Sequence, residues 1–276
     1  MSAYFEIAYA AASHQLCLFT GTGFSKAVTE NSAPSWKFLL ETMCDKLPNG
    51  NEMKTALFPP TGGALSLEES AQVISIEYAK NSRDIHQEIA GVISEIKLIG
   101  DNEVIKDFFH ENSFRVVTTN YDKLAEDLAD SKQCQSITPG MPVPRSQANV
   151  KIYHVHGSIS SPENMVVTSD DYFQFINAES YFSRKLSTLL HENTVVILGY
   201  SLGDINLKAI INDYKKFSRN QAISGNIFFV SNLNIDQHIK DYYAHCYGIR
   251  VLDNTGIHQF FKNIQVAFPQ TSRHFS

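Results

Sequence analysis

The chain is predicted to adopt an α/β fold, an open parallel sheet with helices on both faces and a helical insertion after the first strand. Three features of the sequence predict this. Short apolar runs, mostly β-branched or aromatic and bounded by turn residues, recur along the chain and read as buried strands. Helix-length segments lie between several of them, and strand–helix alternation builds a parallel sheet covered on both faces. One long stretch, Ser35 to His110, has helical periodicity and no clear strand.

Met1 to Ala12 is small and apolar, carries Glu6 and lacks a basic start, so it reads as an amphipathic helix rather than a signal peptide. The first strand is Leu16–Thr20. The insertion, residues 35–110, carries helical patterns over Trp36–Leu47, Leu67–Ala79, Ile85–Leu98 and Glu103–Phe109, broken by Pro59-Pro60 and Gly62-Gly63. Five further strands follow, at Phe114–Thr118, Lys151–Val155, Thr194–Leu198, Asn226–Val230 and Ile249–Leu252, with helices expected over Tyr121–Asp130, Leu207–Phe217 and Asp236–Cys246. Pro139–Pro144 is a Pro-rich loop. Residues 1–276 are expected to form a single unit with 35–110 as its insert.

Composition narrows the function. Apolar residues make up 43% and charged residues 19%, the balance of a globular chain with a packed core. The net charge is -6 with no basic run, so neither nucleic acid nor an anionic surface is an expected partner. No apolar run approaches the roughly 20 residues of a membrane span. The four cysteines, Cys17, Cys44, Cys134 and Cys246, form no CxxC pair. A structural zinc is therefore not expected, and scattered single cysteines suit a reducing cytoplasm.

In open α/β sheets of the Rossmann-like kind, ligands bind at the carboxyl ends of the strands, and polar or glycine-rich clusters stand at each predicted end. Gly21-Thr22-Gly23-Phe24-Ser25 is either a phosphate-approaching loop or a tight glycine turn. In Thr118-Thr119-Asn120-Tyr121-Asp122, Asn120 and Asp122 either cap the next helix or grip a ribose hydroxyl and an amide. His154 and His156 of the next cluster would share one face of a strand, as a metal pair without an evident third ligand, as a general base, or as buried hydrogen-bonded histidines. Gly199 and Ser201 can approach a sugar or phosphate, with Asp204 as a helix cap. Asn232 accepts a ribose hydroxyl or caps a turn. Five such clusters, each directly after an apolar strand, are hard to ascribe to chance.

Together these motifs resemble the sirtuin family, and more closely its zinc-free bacterial branch. GTGFS at Gly21–Ser25 is similar to the family's GAGxS loop, TTNYDKL at Thr118–Leu124 to TQNxDxL, HVHGS at His154–Ser158 to the segment holding its catalytic histidine, and GYSLGD at Gly199–Asp204 to GxSL. The resemblance spans about Leu16 to Leu252. It implies that Gly21, Thr22, Gly23 and Ser25 cradle a pyrophosphate and that Asn120 orders the nicotinamide ribose and a water. It also implies that Asp122 holds the carboxamide, that His156 is the base, and that Gly199, Ser201 and Asn232 contact the adenosine side.

The chain departs from deacylating sirtuins in lacking both zinc-binding cysteine pairs and in reading Ala33-Pro34-Ser35-Trp36 where they carry an IPDFR-like stretch. The resemblance therefore implies hydrolysis of NAD⁺, as substrate, to nicotinamide and ADP-ribose, in bacterial anti-phage defence by NAD⁺ depletion. The chain ends soon after its sixth predicted strand without a sensor module, so control is expected from homo-oligomerisation or from a partner ATPase or sensor subunit. Two rivals have the same fold. A protein deacylase would need the missing cysteines, and a binding module that senses NAD⁺ or ADP-ribose without turnover would need neither Asn120 nor His156. A dehydrogenase would want a third glycine where Lys26 stands.

Overall fold

A computed structural model describes residues 2–130, 133–143, 145, 147–177, 181–202 and 226–271. Its centre is a seven-stranded sheet in which every pairing is parallel. The strands are β1 (Leu16–Thr20), β2 (Phe114–Thr118), β3 (Cys134–Ile137), β4 (Val150–His154), β5 (Thr194–Leu198), β6 (Ile227–Val230) and β7 (Ile249–Leu252). Their order across the sheet is β3-β4-β2-β1-β5-β6-β7. Chain direction across the sheet reverses between β1 and β5, and the crevice outside such a switch point is where open α/β sheets bind ligands.

Alternation along each strand divides the core. Leu16, Leu18, Val116, Ile152, Val196 and Phe228 face one layer of helices. Cys17, Phe19, Val117, Tyr153, Val195 and Phe229 face the other. The first layer comprises α1 (Ala3–Ala12), α2 (Thr22–Val28), α7 (Glu103–Glu111), α8 (Leu124–Ala129) and the C-terminal α12 (Ile257–Thr271). The second draws on α10 (Tyr181–Glu192) and α11 (Gln237–Tyr247), and Phe175 of α9 (Ser169–Asn177) packs against it. The amphipathic N-terminal helix is thus part of the core, capped by the Ser2 hydroxyl and burying Ile7, Ala8, Ala10 and Ala11.

Between β1 and β2 stand α3 (Trp36–Asp45), α4 (Gly50–Leu57), α5 (Leu67–Lys80) and α6 (Ile85–Ser94). They bury a cluster of their own around Leu40, Met43, Ile74, Tyr78 and Ile89, into which Met165 and Val167 also insert. Serine or aspartate caps open three of these helices: Ser35 for α3, Ser66 with Glu69 in a capping box for α5, and Asp84 for α6. The last helix of the 35–110 stretch, α7, packs with the sheet layer instead, through Ile105, Phe108 and Phe109.

The structure differs from the sequence reading at several places. β3 joins the sheet as a seventh strand at its edge. Its sequence, CQSI, is too short and polar to register as an apolar run. α4 follows Pro48-Asn49 and begins at Gly50, which hid it among breakers. α8 begins at Leu124 rather than Tyr121, because Asn120 to Asp122 turn to line the cavity and Lys123 stands at the helix cap. β4 ends at His154, with Val155 and His156 already in a turn. The expected helix Leu207–Phe217 and the Asp204 cap lie outside the described residues. Among the described residues no helix is long and apolar enough to cross a membrane.

Candidate active site

A cavity of about 330 Å³ opens at the carboxyl ends of β1, β2, β4 and β5. Its sheet side is formed by Thr22 and Ser25 after β1, Thr119 to Asp122 after β2, His156 after β4, and Gly199, Tyr200 and Ser201 after β5. The opposite wall comes from the inserted helices and the turn before them: Ala33, Pro34, Trp36, Leu39, Glu68, Ile93 and Ile96. Val166, Val167, Thr168 and Tyr172 close the gap between the two.

The polar groups on the sheet side form one hydrogen-bonded chain. Asn120 Nδ2 donates to Ser25 Oγ at 2.8 Å, and that hydroxyl donates to Asp122 Oδ2 at 2.6 Å. The other carboxylate oxygen of Asp122 accepts from the Leu124 amide at 3.1 Å, so the residue also caps α8. Burial raises the Asp122 pKa, against the opposing bonds from Ser25 and Leu124. The Asn120 amide donates to Thr118 Oγ1, whose hydroxyl donates to the Thr20 carbonyl, tying the ends of β1 and β2 together.

The glycines act by close packing. The Gly21 and Gly23 amides donate to the Leu198 and Gly199 carbonyls at 3.0 and 2.9 Å, pulling the β1–α2 turn against the end of β5. Gly199 has φ +76°, and a Cβ there would lie 2.1 Å from the Phe24 amide nitrogen. Gly21 and Gly23 thus stand behind the cavity surface, and Thr22 and Ser25 face it. Tyr200 lies over Gly21 and pairs its hydroxyl with Thr119 Oγ1 at 2.6 Å.

The two histidines do not share a face. His154, the last residue of β4, is fully buried with its ring between the Asn120 carbonyl and Glu126. Gly157 follows at φ +83°, and a Cβ there would strike the Asn164 carbonyl and Met165. That turn places His156 on the cavity, edge-on to Phe175 at 5.1 Å and to Tyr172 at 6.5 Å. Burial lowers the His156 pKa to about 4, so the ring is neutral at ordinary pH. Among the described residues no group of three or more His, Cys, Asp or Glu is placed to hold a metal ion.

On the opposite wall, Trp36 meets Tyr121 edge-on at 5.9 Å, and the Tyr121 hydroxyl donates to the Val166 carbonyl at 2.5 Å. Asp171 gathers the Val167 and Thr168 amides, the Thr168 hydroxyl and His86 Nε2, all within 3.1 Å. Burial works against its charge, yet these donors hold its pKa at about 2. The His86 pKa is raised, first by the bond to Asp171. This clamp fastens the cavity segment 166–168 to α6.

The structure thus gathers Thr22, Ser25, Asn120, Asp122, His156, Gly199 and Ser201 around one cavity, with Gly21 and Gly23 directly behind. Asn232 lies exposed after β6, outside the lining residues. Sequence reasoning missed Tyr200, Trp36, Glu68, Tyr172 and the His86–Asp171 clamp. Trp36 is the single tryptophan of the chain and follows a helix cap at Ser35, which was the one available signal.

The SIR2-like domain family matches residues 115–252, half of the chain, including the segments that carry Asn120, Asp122, His156, Gly199 and Ser201. Defense-associated sirtuin 2 of Bacillus subtilis is 23% identical over 257 residues, covering 90% of this chain and 24% of that protein. NAD(+) hydrolase ThsA of Cytobacillus dafuensis is 24% identical over 203 residues, covering 71% of this chain and 37% of that protein. NAD(+) hydrolase ThsA of Acinetobacter baumannii is 31% identical over 112 residues, covering 38% and 23%. The chain thus spans between about a quarter and a little over a third of the curated relatives it matches.

Proposed function

The chain belongs to the SIR2-like domain family, and from that premise we propose that it hydrolyses the nicotinamide–ribose bond of NAD⁺ at the cavity around Asn120 and His156. The observation that carries this reading is the Asn120–Ser25–Asp122 hydrogen-bonded chain facing a neutral His156 at the switch point of the sheet. The names of the relatives, NAD(+) hydrolase and defense-associated sirtuin, support the same chemistry and a role in defence, which we read as anti-phage defence by NAD⁺ depletion.

Nicotinamide leaves a cationic glycoside as a neutral molecule, so no acid has to protonate it. The site has to stabilise a ribosyl cation and deliver water. Asn120 orders the ribose and the water. His156, being neutral, accepts a proton from a ribose hydroxyl or from that water as the new C–O bond forms and the C–N bond breaks. Such a base contributes roughly 10²–10⁴-fold in rate. Asp122 receives the carboxamide, Thr22 and Ser25 meet the pyrophosphate with Gly21 and Gly23 as their support, and Gly199, Ser201 and Asn232 serve the adenosine side. The products are nicotinamide and ADP-ribose.

An unrestrained NAD⁺ hydrolase would empty its own cell. Turnover is therefore under control, by self-assembly or by a partner subunit such as an ATPase or sensor. The test is chromatography of nicotinamide and ADP-ribose after incubation with NAD⁺ and no acyl-peptide. Release by the wild type and not by Asn120→Ala or His156→Ala is expected. Equal release by all three proteins would overturn the residue assignment. Calorimetric binding of NAD⁺ without release would make the chain a binding module.

A further inference from the structure

The reaction above makes no use of the buried pair beneath Asn120. His154 Nδ1 lies 3.2 Å from the Asn120 carbonyl oxygen, and Nε2 lies 2.8 Å from Glu126 Oε1. A carbonyl oxygen only accepts, so Nδ1 carries a proton. With the Glu126 pKa held low against burial by His154 and by Ser136, its carboxylate is ionised and only accepts, so Nε2 carries a second. His154 is 0% and Glu126 8% exposed, and a lone charge buried that deeply is costly unless paired. The Asn120 residue is thereby held from both ends: its amide by Thr118 Oγ1 at 3.1 Å and its carbonyl by His154. Its side chain, between them, is aimed at Ser25.

We propose that His154 is a positioning residue, an imidazolium neutralised by Glu126 that donates from both ring nitrogens and locks the Asn120 backbone in its reactive orientation. The claim rests on the reading of Asn120 as the residue at the reaction centre. It gives the first histidine of HVHGS a function distinct from that of the second.

Titratable groups on the neighbouring elements face this pair. Burial works against the His154 cation, but the charge and hydrogen bond of Glu126 on α8, the Asn120 carbonyl and the charge of Asp122 outweigh it, and its pKa is raised. Burial likewise works against the Glu126 anion, and His154 outweighs it, so its pKa is lowered. Cys134 on β3 and Asp127 on α8 both sense the Glu126 charge, and their pKa values are raised, first by burial and then by that charge. With its pKa raised, His154 is charged below that value and loses its proton as pH rises through it. The orientation of Asn120 then fails on the alkaline side.

Two measurements test this on the full chain. The first is nitrogen-15 NMR of the His154 ring. Protonation of both nitrogens at pH 7 is expected, and a neutral tautomer overturns the proposal. In the same titration the Asn120 backbone amide signal follows His154, whether or not the wild type consumes NAD⁺. An Asn120 signal indifferent to His154 overturns the proposal. Loss of turnover with that signal intact overturns only the NAD⁺ reading. The second measurement is the pH profile of kcat. Glu126→Gln moves the alkaline limb toward lower pH by about one unit or more, since removing the opposite charge lowers the His154 pKa. His154→Ala lowers kcat about tenfold to a hundredfold, the worth of one hydrogen bond from a charged donor. The double variant His154→Asn with Glu126→Gln, which restores a donor at Nδ1 without a buried charge, recovers part of that loss. An unmoved limb in Glu126→Gln overturns the proposal even if His154→Ala fails to fold.

Discussion

The two walls of the cavity are built in different ways. On the sheet side every functional group stands within a few residues of a buried strand, and its position follows from strand register and short hydrogen bonds such as Ser25 to Asp122 at 2.6 Å and Thr119 to Tyr200 at 2.6 Å. On the opposite side Trp36, Leu39, Glu68 and Ile93 stand on helices that bury a core of their own, and Ile96 follows just past the end of α6. That wall meets the sheet side through the Trp36–Tyr121 edge contact, through Met165 and Val167 inserted into its core, and through the segment 166–168 clamped by Asp171 and His86. The difference separates two tasks. On the proposed function, the sheet-side rim would hold the reacting groups and the helical wall would shape the space around the substrate. Changes on the rim are expected to lower kcat, and changes on the wall to raise KM.

The largest expected effect lies at the rim. Asn120→Ala and His156→Ala each lower kcat by about 10²–10⁴-fold with the fold intact, read by NAD⁺ turnover beside circular dichroism. A loss of the same size from Trp36→Ala would break the comparison. Next comes Gly199→Ala, which forces a side chain into φ +76° against the Phe24 amide nitrogen. Strained backbone of this kind costs about 1–3 kcal/mol before the clash is relieved, so the melting temperature falls together with kcat. A variant as stable and as active as the wild type would show that β5 and the β1–α2 turn can move apart freely.

Smaller effects belong to the helical wall. Trp36→Ala removes one ring of an aromatic pair worth about 0.5–1.5 kcal/mol, so KM for NAD⁺ rises by up to roughly tenfold while kcat stays within about twofold. The smallest effects are those of pH. With the His156 pKa at about 4 in the free cavity, the neutral base persists through mildly acid solution, and kcat/KM falls only as pH drops toward about 4. The clamp behaves in the opposite sense at its histidine. The His86 pKa is raised in the fold, so its contribution to stability is complete below about pH 6.5, the unfolded value, and is lost as pH rises through the folded one. Asp171 contributes above about pH 3.9, the unfolded value, and is lost as pH falls through about 2. The melting-temperature difference between the wild type and His86→Gln should therefore shrink on the alkaline side. A constant difference would show that the clamp acts through packing alone.

What the sequence by itself determined is the frame and which polar residues line the sheet side of the cavity. Leu16–Thr20, Phe114–Thr118 and Thr194–Leu198 are strands at the residues where apolar runs placed them, because burial on both faces leaves a continuous apolar signature, and the edge strand Ile249–Leu252 also lies where its short run IRVL placed it, with Ile249 alone buried. Asn120, Asp122 and His156 were legible because polar residues directly after such runs have few roles other than capping or binding. The edge strand Cys134–Ile137 was not legible, since an edge position needs no continuous apolar run. Nor was the parting of His154 from His156, since strand alternation cannot show where the strand stops and Gly157 turns the chain. Only the tertiary structure decided that Glu126, 28 residues before His154, would meet its ring at 2.8 Å, and that Trp36 and Glu68 would face Asn120 across one cavity. These pairings join residues distant in the chain through the packing of separate layers, and no local periodicity carries that information.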